Sequence, residues 1–295
     1  MTVSPSITRR GNLWVGGFRC MASPCEVLLE CDDRAQAHEL IEIASREAFR
    51  IEQKFSRYRD DNIVHRINRG GQRLEVDEET ARLLDFADNC YQLSDGWFDI
   101  TSGILRRAWK FGDGARLPRQ REIDRLLAHI GWHQVSWEKP YLTLPAGMEI
   151  DFGGIGKEYA VDSALGLIRD AADCSALVNF GGDCHASGPQ AGGRPWMTGI
   201  ENPNRPGDAS AVIRLRQGAL ATSGDVFKYI EHRGRRYSHI LNPKTGWPSP
   251  DAPRSVTVAA ATCTEAGILS TLAMLQGGDA ETFLDAQGVR YWCYR

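Results

Sequence analysis

The 295-residue chain contains no apolar run of the roughly 18 or more residues that a membrane-crossing helix needs. Its first residues, MTVSPSITRRGNLWVGGF, hold no apolar h-region, and no hydrophobic stretch follows Arg9-Arg10, so neither a Sec nor a twin-Arg signal is expected. Long basic runs are missing too: the densest cluster, Arg233 to Arg236, is short and reads as a solvated turn, so no nucleic-acid partner is expected. None of the eight cysteines forms C-x-x-C and their spacing fits no zinc pattern, which leaves reduced, largely buried thiols of a cytoplasmic protein. No Ser- or Pro-rich linker divides the chain. What remains is 42% apolar and 25% charged with a net charge of −3, a composition that excludes a disordered chain.

Residues 1–12 read as a flexible lead-in and 13–295 as one unit. Residues 18–31 suggest two short strands about Ser23-Pro24. Residues 35–55 carry Leu40, Ile41, Ala44, Ala48 and Ile51 at helical spacing, with Asp32 or Asp33 as cap. After a polar loop a short helix runs to Asn68, a longer one spans 78–94 and stops at Asp95-Gly96, and another covers 122–131. Then the texture turns to strands: 135–137, 141–144, 148–152, 176–180, 196–200, 211–215, 219–222, 236–240 and 255–260, interrupted by helices at 157–171 and 264–276. Strands in runs with helices grouped beside them predict an α+β fold.

Four segments carry chemistry. In Asp151-Phe-Gly-Gly-Ile-Gly-Lys157 a strand ends, glycines turn the chain and a helix begins, so backbone N–H groups, the helix dipole and Lys157 can face an anion such as a diphosphate. A glycine corner beside a surface lysine would read the same way. Thr222-Ser223-Gly224-Asp225 offers hydroxyls and a carboxylate for phosphate or Mg2+, and equally a capped turn. His239, before Asn242-Pro-Lys-Thr-Gly246, stands at a strand end suited to proton transfer. In the fourth, Thr262 to Thr271, Thr264 could cap a helix on which Gly267 and Thr271 share a face. Asp151-Phe-Gly-Gly is echoed by Asn179-Phe-Gly-Gly, as two corners of one pocket or by chance.

In this order, and together with Met21-Ala-Ser-Pro, Phe55-Ser-Arg-Tyr58, Ile63 to Asn68, Ser94 to Thr101 and Leu177 to Asp183, these segments resemble the ApbE family of FAD:protein FMN transferases from about Met21 to Gly277. The resemblance implies a T-fold-related arrangement of antiparallel sheets with packed helices. It also implies that FAD is split at its pyrophosphate, that FMN is esterified to a Ser or Thr of an acceptor flavoprotein subunit, and that AMP is released with help from Mg2+. By the same resemblance Met21, Tyr58, Phe98 and Asp99 line the flavin or adenine pocket, with Ile240 beside His239. Asp151, Gly154, Gly156 and Lys157 face the pyrophosphate, supported by Thr222, Ser223 and Asp225, and His239 is the base. The carbonyl of Gly156 and the hydroxyl of Thr271 would hold the metal. Periplasmic work by another export route is the family's alternative to the cytoplasm.

Two departures concern that metal. Gly267 stands where the family has its Asp ligand, and Glu158 stands where it has a Gly. Asp225 or Glu158 could compensate, whereas Glu265 lies on another helical face. An FAD-binding protein with weak or no transferase activity and an FAD pyrophosphatase are the alternatives, and an Asp at 267 is expected to strengthen metal dependence if this position faces the metal.

Overall fold

The computed structural model describes residues 4–112 and 114–295, the side chain of Pro206 apart. In chain order the elements are β1 (Ser6–Arg10), β2 (Leu13–Cys20), β3 (Ser23–Glu30), α1 (Arg34–Phe55), α2 (Ile63–Asn68), β4 (Arg73–Glu75) and α3 (Glu78–Leu93). A 3-10 segment (Ile100–Arg107), α4 (Gln120–Leu127), β5 (Ser136–Glu138), β6 (Tyr141–Thr143) and α5 (Gly156–Ala171) follow. The second half holds β7 (Ser175–Phe180), β8 (Asp183–Ala186), β9 (Trp196–Asn202), β10 (Arg205–Leu215), β11 (Gly218–Gly224), β12 (Tyr229–His232) and β13 (Arg235–Ser238). It closes with β14 (Ser255–Ala260), α6 (Cys263–Gln276), α7 (Ala280–Gln287) and β15 (Arg290–Tyr294).

Eight strands form one antiparallel sheet in the order β1-β2-β3-β7-β8-β11-β14-β15, as the α+β expectation requires. Period-2 alternation selects its two faces. Val27, Leu29, Val178, Phe180, Ala221, Val256 and Val258 point to the side covered by α1, α5 and α6, where Leu40, Ile41, Ala44, Val161, Leu165 and Ile168 meet them. Each large aliphatic side chain sealed there contributes about 1.5–3 kcal/mol. Gly16 in β2 permits the close approach, since a Cβ there would collide with Ile41. The opposite face carries Leu177, Cys184, Ala186 and Leu220, covered by Trp196 and Leu215 of the β9–β10 hairpin. A separate cluster, Ile104, Leu105, Trp109, Ile123 and Ile230, ties the 3-10 segment and α4 to the β12–β13 hairpin. Among the described residues no helix is long and apolar enough to cross a membrane.

Several expectations change. The lead-in is, over Ser6–Arg10, an edge strand paired with β2; residues 1–3 lie outside the described residues. Residues 148–152 are not a strand, because the side chain of Asn68 brackets Ile150 N and O at 2.7 and 3.0 Å, and the Ile100 carbonyl accepts from Asp151 N at 2.9 Å. Those bonds satisfy the backbone without a ladder. Asp33 caps α1 as expected, but Thr262 rather than Thr264 caps α6.

Candidate functional site

A cavity of about 1200 Å3 opens between α5, the end of β11, the 3-10 segment and the segments Val226–Lys228 and His239–Leu241 that flank the β12–β13 hairpin. Both glycine corners reach it, through Asp151 to Gly154 on one side and Gly181 and Gly182 on the other. The first corner is held by Asp151, whose Oδ1 accepts from Gly153 N at 2.9 Å while its other oxygen pairs with Arg57. Gly153 and Gly154 then bring the chain to Gly156, where α5 starts with no side-chain cap on Ile155. The positive end of α5 therefore lies at the cavity wall.

Asp183 joins this corner to the Thr222 turn. Its carboxylate, 1% exposed, takes the Lys157 ammonium at 2.6 Å on Oδ2 and accepts from Thr222 N at 2.9 Å on Oδ1. Burial alone would lower the Lys157 pKa, but the facing carboxylate outweighs it and holds the ammonium above its ordinary value. Thr222 Oγ1 is 2.8 Å from Thr257 Oγ1, and Ser223 Oγ lies 2.9 Å from Ser270 Oγ and 3.0 Å from Thr271 Oγ1 on α6. Asp162 fastens α6 to α5 by accepting from Cys263 N at 2.8 Å and Thr264 N at 2.9 Å. Between the helices stands Glu158; burial first, then the negative charge of Asp183, pushes its carboxyl well above the usual range.

His239 borders the cavity just after β13, with Nδ1 3.0 Å from the Lys228 carbonyl. A ring nitrogen facing a carbonyl carries the proton, which leaves Nε2 as the basic atom. Burial, then the charge of Lys228, lowers the His239 pKa to about 4, so the ring is neutral at pH 7. Ile240, whose N–H donates to Ser238 Oγ at 3.1 Å, lies next to it. Asp225 is placed differently from the sequence expectation. It is buried, paired with Arg254 at 2.9 Å and Arg236 at 3.3 Å, and turned away from the cavity lining. Two guanidiniums occupy its oxygens, so it braces the turn instead of reaching a reacting atom.

At the far end Met21 sits in the tight β2–β3 turn with Ala22, both at positive φ (51° and 58°), and its N–H donates to Glu52 at 2.9 Å. Tyr58 is 79% exposed at the rim, its hydroxyl accepting from Arg57 at 2.9 Å. Phe98 is buried against Gly154. Asp99 borders the cavity but its carboxylate is engaged: it accepts from Thr101 N at 2.7 Å and Trp132 N at 3.1 Å and caps the 3-10 segment. The structure thus brings Met21, Tyr58, Phe98, Asp99, Asp151, Gly154, Gly156, Lys157, Thr222, Ser223, His239, Ile240 and Thr271 to one cavity and sets Asp225 behind its wall. Sequence reasoning gave no role to Asp183, Arg57 or Glu52, although Asp183 follows a Gly-Gly corner, a position that could have singled it out.

The model of the ApbE family matches residues 21–292. An FAD:protein FMN transferase of Haemophilus influenzae is 29% identical over 257 residues, 83% of this chain and 73% of the relative. One of Escherichia coli K12 is 30% identical over 258 residues, again 83% and 73%. Among solved structures, the apbe protein of Thermotoga maritima superposes with a TM-score of 0.88 at 30% identity, covering 95% of this chain and 94% of that one. The apo flavinyl transferase ApbE of Pseudomonas stutzeri gives 0.83 at 26% identity, covering 97% and 90%.

Proposed function

The chain belongs to the ApbE family, and we propose on that premise that it is an FAD:protein FMN transferase. The acceptor is a flavoprotein subunit carrying a reactive Ser or Thr. The observation that carries the reading is Asp183, which locks the Lys157 corner and the Thr222 turn onto one cavity of dinucleotide size. The acceptor hydroxyl oxygen bonds to the FMN-side phosphorus of FAD, the phosphorus–oxygen bond to AMP breaks, and AMP leaves. His239 Nε2 takes the hydroxyl proton. Phosphoryl transfer needs chiefly positioning and charge neutralisation, which the α5 N-terminus, Lys157, Thr222 and Ser223 supply. Met21, Tyr58, Phe98 and Ile240 take the ring systems, with Asp99 holding the wall behind them. Asp151, Gly154 and Gly156 shape the diphosphate corner, and Asp225 supports the Thr222 turn through its arginines.

The donors at the α5–α6 junction suit Mg2+: hydroxyls, backbone carbonyls and the buried, unpartnered Oε2 of Glu158 are all hard oxygens. Gly156 O and Thr271 Oγ1 would hold the ion, which when bound adds positive charge beside the phosphates. We take 13–295 as the catalytic unit with β1 added to its sheet, and the cytoplasm as its compartment because all eight cysteines are free.

Incubation with FAD and Mg2+, with and without a Thr-bearing acceptor peptide, tests the reading. Covalent flavin on the peptide and one AMP per flavin are expected. FMN and AMP without peptide would make the protein a pyrophosphatase, and intact bound FAD would make it a carrier.

A further inference from the structure

We propose that Glu158 supplies the carboxylate of the divalent-cation site, in the space that a side chain at position 267 would otherwise fill. A Cβ built on Gly267 would lie 2.6 Å from Glu158 Cγ and 3.1 Å from its Cδ. The two positions therefore compete for one volume, and in this chain Glu158 owns it. The acid reaches that volume from α5, whereas residue 267 would reach it from α6, so one carboxylate comes to the same wall from the opposite helix.

Two further observations point to a ligand. Glu158 Oε2 and Asp183 Oδ2 are both buried without a hydrogen bond, a state that costs free energy unless something else occupies them. Asp183 Oδ2 has only the Lys157 ammonium at 2.6 Å, its Oδ1 accepts from Thr222 N, and Asp162 is held by the α6 N-terminus. A cation there would take up the buried oxygens that no hydrogen bond satisfies. Thr271 lies one turn beyond Gly267 on the same face of α6, and it borders the cavity together with Glu158 and the backbone of Gly156. A carboxylate, a hydroxyl and a carbonyl make a hard-oxygen set that needs phosphate oxygens or water to complete six positions, as Mg2+ prefers.

The assignment rests on the proposed diphosphate site, and Mn2+ binding followed by electron paramagnetic resonance, with and without FAD, separates the two. Glu158→Gln should weaken Mn2+ binding by about tenfold or more. Gly267→Asp alone should lower the melting temperature, because the new side chain meets Glu158. Glu158→Gly should lose Mn2+ binding, and Glu158→Gly combined with Gly267→Asp should regain it. Mn2+ binding by Glu158→Gln equal to the parent, or a double variant no better than Glu158→Gly, overturns the assignment. The double variant decides alone if Glu158→Gln does not fold. Failure of the parent to bind FAD would sink the diphosphate reading instead, while the arm with Mn2+ alone still tests Glu158.

Discussion

The two walls of the cavity are built on different principles. The α5–β11 wall is polar and cross-braced: Asp183 clamps Lys157 and Thr222, Ser223 ties to α6, and the whole stands on the main core. The opposite wall carries His239 just beyond a two-stranded hairpin whose support is aromatic, with Trp109 5.1 Å from Trp247 and 6.2 Å from Tyr237 between ring centroids. On the proposed reading, grip and proton transfer fall to separate clusters, so mutations should divide into those that lose FAD and those that keep it but react slowly.

The sharpest break of that division is Asp183→Ala. It leaves Lys157 without its partner and Thr222 N without an acceptor, and it should cost about 3 kcal/mol in denaturant unfolding and abolish FAD binding. Full stability would show that the brace is incidental. On the other wall, His239→Ala should slow transfer by roughly 10²–10⁴-fold while FAD affinity holds. A parental rate would remove its role as base. Its depressed pKa also sets a sign. The unfolded ring binds a proton near pH 6.5 and the folded ring only near pH 4. Between those values the unfolded state holds more protons, so this group makes stability fall as pH drops from 6.5 toward 4. In unfolding curves across that window His239→Ala should flatten the slope.

Smaller effects sharpen the contrast. Lys157→Met should weaken FAD by roughly 2 kcal/mol, about thirtyfold, through loss of a charge-assisted contact. Unchanged affinity would take Lys157 out of the diphosphate contact. Tyr58→Ala, at an exposed rim position, should move stability by no more than about 0.5 kcal/mol. Its FAD affinity should fall by about 1 kcal/mol from lost ring contact, measured by flavin fluorescence.

Much of this was legible in the sequence where local chemistry dictates structure. The spacing of Leu40, Ile41, Ala44 and Ala48 fixed α1, and Asp95-Gly96, both at positive φ, stopped α3. The glycine corner at Asp151 and His239 at a strand end also stand where they were placed. What the chain did not disclose depends on distant partners. Residues 148–152 have strand-like composition, yet Asn68, far away in sequence, takes their backbone. Asp225 reads as a phosphate-side acid until Arg236 and Arg254 fold back onto it. Glu158 and Gly267 look like two unrelated departures along the chain, and only the packing of α5 on α6 reveals one shared volume. The same contact makes Gly267→Asp a crowding change in the parent background, since a Cβ at 267 would lie 2.6 Å from Glu158 Cγ.

The most direct test of the central claim is a crystal structure of the chain with FAD bound. The diphosphate should lie between the first turn of α5 and the Thr222–Ser223 segment, with the FMN-side phosphorus open toward His239 Nε2. A diphosphate lying away from either segment, or a dinucleotide bound outside this cavity, would contradict it.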